Sequence, residues 1–138
     1  MPKIFGTNIL IILLAAFLFF MLGWLWYGGI FSEKWMALSG MTEEIAAETM
    51  TRSMAVGCLL SLLQALGLAG IMSMKSEGGL TKGLKVGGLS WLFFALPVAA
   101  YAWNYENSPM ELLKIDAGYL LVGYLVMGAV YGLLRKAG

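Results

Sequence analysis

Asp116 is the residue of this sequence with the clearest chemical potential, because it is the acidic residue nearest to a long apolar stretch. On a helix, Tyr119 and Gly123 would share its face. A carboxylate withdrawn from water can bind a cation or carry a proton, as a proton-coupled transporter requires. The simpler interpretation, which we prefer, is a solvated or salt-bridged carboxylate at the membrane surface.

Aromatic residues gather at the ends of two apolar stretches, on the same side as Asp116 and Asn104. Such rings settle at headgroup level, so an interfacial belt is the preferred interpretation and a ligand-binding cluster is the alternative. Together with Asp116, Asn104 and Tyr119 they define a candidate outer-face site for a ligand or a partner. The other aromatic members of this site are Trp24, Trp26, Tyr27, Trp35 and Trp103.

Small residues recur at every fourth position of the second apolar stretch, a spacing that lets a neighbouring helix approach closely in lipid. Gln64 points toward the same side, and a buried amide in hydrocarbon needs a hydrogen-bond partner. We interpret Gln64 as a residue that forms a hydrogen bond between helices. The alternative is that it binds a substrate. Gly128 and Gly132 form a second close-packing motif, either within the chain or between subunits. The small residues of the second stretch are Gly57, Ser61, Ala65 and Ala69.

The sequence contains no histidine and a single cysteine, Cys58, which lies inside an apolar stretch. The usual general base and the commonest zinc ligand are therefore missing, and no glycine-rich phosphate loop occurs. Glu43, Glu44 and Glu48 could hold a divalent ion, but a solvated helix face is the preferred interpretation. We expect neither an enzyme nor a bound cofactor or metal.

Four apolar stretches position these residues. Each is roughly 18 to 21 residues long, or about 27 to 32 Å as a helix, which matches a hydrocarbon core of about 30 Å. With 60% hydrophobic and 12% charged residues, the chain is far more apolar than a soluble domain. The sequence therefore predicts an all-α membrane protein, a single domain with four transmembrane helices in the lipid bilayer. The predicted spans are 9–27, 54–74, 86–103 and 117–134.

The loops carry their own helix signals. In the first outer loop, residues 28–53, a short interfacial helix is predicted, and Thr42 offers an N-cap from which the second span would run as one continuous helix. In the second outer loop, Ser108 and Glu111 have the spacing of a capping box, which predicts the start of the fourth helix. Pro97 predicts a kink in the third.

The start of the chain resembles a secretory signal, because Lys3 precedes an apolar stretch. Trp24 and Trp26 follow that stretch, however, where a signal peptidase needs small residues. We therefore expect the first span to be retained.

Basic residues divide unequally between the two sides of the predicted membrane, and basic residues in short loops set the orientation. Both termini and the middle loop, residues 75–85, are therefore predicted to face the cytoplasm, in a bacterial cytoplasmic membrane. The middle loop lacks interleaved aromatics, so it should contact lipid headgroups and not nucleic acid. Six residues on that side, Lys3, Lys75, Lys82, Lys85, Arg135 and Lys136, oppose three outside, Lys34, Arg52 and Lys114.

Two segments of the sequence resemble a known family. They are residues 22–44, which include Leu-Gly-Trp-Leu-Trp-Tyr-Gly-Gly-Ile-Phe-Ser-Glu-Lys-Trp-Met and a later Met-Thr-Glu-Glu, and residues 115–130, which begin Ile-Asp-Ala-Gly-Tyr. Both are similar to segments of small bacterial and fungal membrane proteins grouped as domain of unknown function family 1761. The resemblance implies four spans and no established activity. That family often has a histidine after Ala-Gly-Tyr and a Gly-Pro where this chain has Gly28-Gly29, so no role resting on the histidine carries over.

The expected function is association in the membrane. Small-residue helix faces and the aromatic outer loop indicate an accessory or assembly subunit of a larger membrane complex, or a homo-oligomer. The alternative is a small-solute or proton-coupled transporter or channel that acts as an oligomer. In that case Asp116, Gln64 and the aromatic rim would line a path between subunits.

The predicted orientation can be tested with single cysteines at Ser39 and at Ser76 in a Cys58→Ser background. An impermeant thiol reagent applied to intact cells should label position 39 and spare position 76, because only the first is expected outside. Labelling of position 76 alone would reverse the orientation.

Overall fold

The computed structural model describes residues 2–74 and 79–134 of the chain. Four helical segments within these ranges are long and apolar enough to cross a membrane: Ile9–Ile30, Met50–Ser73, Leu80–Tyr105 and Met110–Leu134. The predicted all-α membrane fold is therefore confirmed. Three basic residues behind the predicted orientation, Lys75, Arg135 and Lys136, lie outside the described residues.

The first and third segments each contain one π-helical turn, and two short helices connect the first span to the second. In chain order the elements are β1 Lys3–Ile4, β2 Thr7–Asn8, α1 Ile9–Leu25, a π turn Trp26–Ile30, α2 Ser32–Ser39, α3 Glu43–Glu48, α4 Met50–Ser73, α5 Leu80–Ser90, a π turn Trp91–Ala95, α6 Leu96–Tyr105 and α7 Met110–Leu134. We call the side of the bundle that carries the two short connecting helices the α2–α3 end.

A small hairpin precedes the first span and is not among the predicted elements. Strands β1 and β2 pair antiparallel, with Ile4 opposite Thr7. Phe5 and Gly6 between them have φ values of 52° and 72°, the left-handed pair that a type I′ turn requires. Asn8 Oδ1 then accepts a hydrogen bond from the Leu10 N–H at 2.9 Å, so the hairpin ends in the N-cap of α1.

The core of the bundle lies where α1 packs against α4 and α7. Large apolar side chains such as Phe93 and Phe94 are exposed on the outside. This arrangement is expected in lipid, where burial of apolar groups does not drive helix association and close packing does. The largest buried core side chains are Ile12, Phe19, Met72, Met127 and Tyr131.

Helices α5 and α7 pack with their backbones in direct contact. A Cβ atom at Gly83 would overlap the carbonyl oxygen of Gly128, and a Cβ at Gly128 would overlap that of Gly83. One turn away, a Cβ at Gly132 would overlap the carbonyl oxygen of Gly79, whose N–H donates to Gly132 O at 3.0 Å. A Cβ at Gly87 would overlap the backbone of Tyr124. We call these antiparallel contacts the glycine seam.

The third span begins at Leu80, earlier than the predicted start at residue 86. The sequence predicts a cytoplasmic turn over residues 75–85, but α5 begins at Leu80, so Lys82 and Lys85 are helical. This segment is helical because its glycines have the four-residue spacing of a helix packing face, which the glycines of a flexible loop lack. They are Gly79, Gly83 and Gly87. Gly128 and Gly132 therefore pack within the chain, one of the two alternatives left open.

The small residues of α4 face the rest of the bundle. Ser61, Ala65 and Ala69 are buried, and a Cβ at Gly57 would lie 3.2 Å from the ring of Phe20 on α1. Because these side chains are short, α1 can approach α4 closely along this stripe.

Two predicted helix starts differ from the structure. Thr42 Oγ1 does accept from the Ile45 N–H at 3.2 Å, but α3 ends at Glu48 and Thr49 separates it from α4, so the second span is not one continuous helix from Thr42. At the other loop, the Ser108 N–H donates to the Ala102 carbonyl and not to Glu111, as a capping box would need. Helix α7 nevertheless begins close to the predicted place, at Met110.

The π turn Trp91–Ala95 explains how the third span accommodates Pro97. Proline lacks an N–H, so a regular helix would leave the Phe93 carbonyl without its partner. Just before the proline, the Leu96 N–H reaches back five residues to the Trp91 carbonyl. One inserted residue just before Pro97 thus changes the hydrogen-bond pattern where the kink is predicted.

The glycine seam predicts opposite effects for two similar substitutions. Gly83→Ala should destabilise the bundle by about 1–3 kcal/mol, because an inserted methyl group forces packed backbones apart. Gly67→Ala should be neutral or stabilising by up to about 1 kcal/mol, since alanine favours a helix and nothing lies within 4 Å of the added Cβ. Thermal unfolding in detergent measures both, and equal effects would contradict the seam.

Candidate functional site

The centre of the candidate site is a hydrogen bond between Tyr27 and Asp116. The Tyr27 O–H donates to Asp116 Oδ1 at 2.5 Å, joining residues 89 positions apart in sequence. Tyr27 lies in the π turn that ends the first span, and Asp116 lies in the second turn of α7. Both are half-buried. The preferred interpretation, a solvated or salt-bridged Asp116, does not include this contact. The described partner of the Asp116 carboxylate is the Tyr27 hydroxyl.

Two tryptophans fix the backbone of α7 on either side of Asp116. The indole N–H of Trp26 donates to the Ile115 carbonyl at 3.0 Å, and that of Trp91 donates to the Ala117 carbonyl at 2.8 Å. Each of these tryptophans is the first residue of a π turn. The first and third spans are therefore both anchored to the same short piece of α7, and Asp116 lies between the anchors.

Aromatic rings form the wall beside the carboxylate. Tyr119 stacks on Phe19 with ring centres 5.0 Å apart, and its hydroxyl donates to the Phe19 carbonyl at 3.2 Å. The Tyr27 ring meets both Tyr119 and Trp35 edge-on, with centres 5.4 Å apart in each pair. A Cβ at Gly23 would lie 2.9 Å from the Tyr119 hydroxyl, so a residue without a side chain makes room for this ring.

The structure brings together five of the predicted members of the outer-face site and leaves three apart. Trp26, Tyr27, Trp35, Asp116 and Tyr119 form the cluster described above. Trp24 is 61% exposed and Trp103 43% exposed, and Asn104 is exposed as well. Within the described residues, no hydrogen bond or ring contact joins these three to Asp116.

A second set of polar contacts lies deeper between α7 and α4. The Tyr124 hydroxyl donates to Gln64 Oε1 at 2.8 Å, and the Tyr131 hydroxyl donates to the Ala65 carbonyl at 2.6 Å. Gln64 also donates to the Leu60 carbonyl of its own helix at 3.2 Å. The amide is therefore occupied by a bond between helices.

The sequence indicates that Gln64 needs a partner, but it does not indicate that the partner is Tyr124. Tyr124 and Tyr131 are seven residues apart, so they lie on one face of α7 two turns from each other. That spacing was the available signal. The sequence contains no comparable signal for Trp91 or Phe19. The contact of Trp91 depends on the π turn, and that of Phe19 depends on the packing of α1.

An open cleft of about 230 Å³ lies next to the cluster, at the α2–α3 end. Its floor consists of Trp26, Phe31 and Ile115, and its rim of Lys34, Glu111 and Lys114. The Lys34 Nζ lies 3.5 Å from Glu111 Oε2, which ties α2 to the start of α7. Both of these side chains are more than half exposed.

The cluster has the character of a positioned hydrogen-bonding site. Asp116 accepts from Tyr27, and its helix is held by two indole donors, so the carboxylate is fixed in direction. Across residues 2–74 and 79–134, no three acidic or cysteine side chains gather as ligands for a metal ion would. The arrangement can therefore hold a donor or a cation against one oriented carboxylate.

The chain belongs to the family described as Protein of unknown function (DUF1761), whose sequence profile matches residues 10–132. The resemblance drawn from residues 22–44 and 115–130 is thereby confirmed. Neither a curated protein nor a solved structure matches the chain. Family membership supplies no activity, so a functional assignment depends on the contacts of the chain itself.

The bond between Tyr27 and Asp116 can be measured by a double-mutant cycle. Tyr27→Phe should destabilise the protein by about 1–3 kcal/mol, the range for one bond to a neutral or charged group. In an Asp116→Leu background the same change should cost much less, because the acceptor is already gone. Tyr105→Phe serves as the control, since Tyr105 is 77% exposed. Additive unfolding free energies for Tyr27 and Asp116 would contradict the bond.

Proposed function

We propose that this protein acts by association, as a non-catalytic accessory or assembly subunit of a larger membrane complex or as a homo-oligomer. The proposed setting is a bacterial cytoplasmic membrane with both termini in the cytoplasm, so that the α2–α3 end faces outward. The observation that carries the proposal is the exposed segment 32–48, which contains α2 and α3. We call this segment the outer layer.

The outer layer is ordered, yet it is hardly sheltered by the bundle. No residue of α2 or α3, both of which are fully described, is buried. The ion pair of Lys34 with Glu111 and the edge contact of Trp35 with Tyr27 join α2 to the bundle, and α3 contacts α4. A segment with defined helices and a free surface is suited to docking against another protein, because its order is largely achieved before binding.

The chemistry of the outer layer indicates what kind of partner surface would fit. Glu43, Glu44 and Glu48 of α3 are exposed, and none of them is in a described ion pair. Ile45, between them, is 44% exposed. An acidic surface with an apolar residue in it favours a basic partner loop, since charge complementarity guides and orients association.

The contacts inside the bundle favour association over transport. A transporter would need polar groups free to meet a solute. Deep in the bundle, Gln64 is bonded to Tyr124, and no buried polar side-chain atom in the described ranges lacks a partner. The glycine seam closes the space between α5 and α7. Because Gly128 and Gly132 are used within the chain, the proposed association surface is the outer layer and not this motif.

A charge reversal in the outer layer tests the proposal. Protein extracted gently from native membranes is expected to migrate well above its monomer mass after allowance for detergent. Glu44→Lys with Glu48→Lys should reduce the associated fraction by at least about tenfold, because like charges across an interface are strongly unfavourable. Size-exclusion chromatography with light scattering measures the associated mass.

Two further variants separate association from transport. Glu106→Lys, a charge reversal on the other loop at the same end, should leave the association intact, as should Asp116→Asn. If the protein purifies as a lone monomer, the proposal fails. If reconstituted protein supports solute flux that Asp116→Asn abolishes, the transporter interpretation replaces it.

A further inference from the structure

The cleft at the α2–α3 end combines an apolar floor with a charged rim. Its floor is formed by the rings of Trp26 and Phe31 and by Ile115, and its rim carries two ammonium groups and one carboxylate. The Trp26 and Phe31 ring centres are 5.1 Å apart at an angle of 45°, so they line one continuous surface. A site of this kind suits a ligand that is apolar at one end and ionic at the other.

The cleft borders the polar first two turns of α7. Ile115 is 5% exposed, whereas Lys114 and Glu111 on the same helix, up to one turn closer to its start, are exposed. Trp26 opens the last turn of the first span, and tryptophan is enriched at the depth of the headgroups. A ligand in the cleft would therefore sit with its ionic part at headgroup level and its apolar part toward the bilayer.

The charges of the rim specify the sign of the ligand. Lys34 and Lys114 with Glu111 give the rim one net positive charge. Glu111 already lies 3.5 Å from Lys34, and no described carboxylate pairs with Lys114. The ammonium group of Lys114 is therefore available to an added anion, while Glu111 can accept hydrogen bonds from hydroxyl groups.

We propose that this cleft binds one glycerophospholipid with a singly anionic, hydroxylated headgroup, of the phosphatidylglycerol type. The phosphodiester lies against Lys114, with Lys34 as a second donor, and the headgroup hydroxyls donate to Glu111. The glycerol backbone covers Trp26 and Phe31. The volume agrees, because about 230 Å³ is below the roughly 300–1,000 Å³ of a site that encloses a whole drug-sized ligand. A headgroup fits inside while the acyl chains remain in the bilayer.

Competition between two lipids tests the proposal. The full-length protein in detergent is given equal amounts of palmitoyl-oleoyl phosphatidylglycerol and palmitoyl-oleoyl phosphatidylcholine, and retained lipid is counted by native mass spectrometry. One phosphatidylglycerol should be retained in preference. Lys114→Gln should reduce that preference by about tenfold, because the charge-assisted hydrogen bond between the ammonium group and the phosphodiester is lost. Arg52→Gln removes the same charge at the same end outside the cleft and should change nothing.

Other results would overturn the proposal. Equal losses in Lys114→Gln and Arg52→Gln would mean general attraction to anionic lipid, and no preference in the unmodified protein would mean no site. Lys114→Arg should retain the lipid, which separates loss of charge from loss of folding. Glycerol 1-phosphate in millimolar excess should leave the lipid bound. If it displaces the lipid, the site recognises a soluble phosphate and the lipid proposal is wrong.

Discussion

The contact of two backbones along the glycine seam determines much of this structure. In lipid there is little hydrophobic gain in bringing apolar helices together, so close approach must supply the attraction. Gly83 and Gly128 remove the side chains that would keep α5 and α7 apart, and each lies against the other's carbonyl oxygen. With α7 held in this way against α5, its tyrosine side chains meet α1 and α4.

The α2–α3 end depends on that placement of α7. Asp116 is oriented by Tyr27, and the carbonyls on either side of it accept from the indoles of Trp26 and Trp91. Two separate parts of the chain, the two π turns, thus converge on one turn of α7. Hydrogen bonds from indole and phenol groups suit this depth, because such side chains combine an apolar body with a polar tip. The outer layer and the cleft both border this turn.

The architecture could be predicted from the sequence because the length of an apolar stretch is a local property. The position of Asp116 near the end of a span was also visible, as was the need of Gln64 for a partner. The partners themselves were not, since Tyr27 and Asp116 are 89 residues apart and nothing local links them. The start of α5 is hard to predict because lysines and glycines between 75 and 85 have the composition of a loop. Only the four-residue spacing of Gly79, Gly83 and Gly87 indicates a packed helix. The separation of Trp103 and Asn104 from Asp116 likewise depends on the direction of α6.

The two π turns carry a consequence for how this site is encoded. Each inserts one residue into a helical span, and one residue corresponds to about 100° of rotation around the axis. Trp26 and Trp91 open these turns, so the direction of the spans beyond them depends on the number of residues as well as on their identity. Deleting Phe93 or Phe94 from the second turn would keep every side chain of the cluster and still rotate α6 by about 100° relative to Trp91 and α5. Insertions or deletions in this turn would therefore change how the third span meets α7 without removing any residue of the cluster around Asp116.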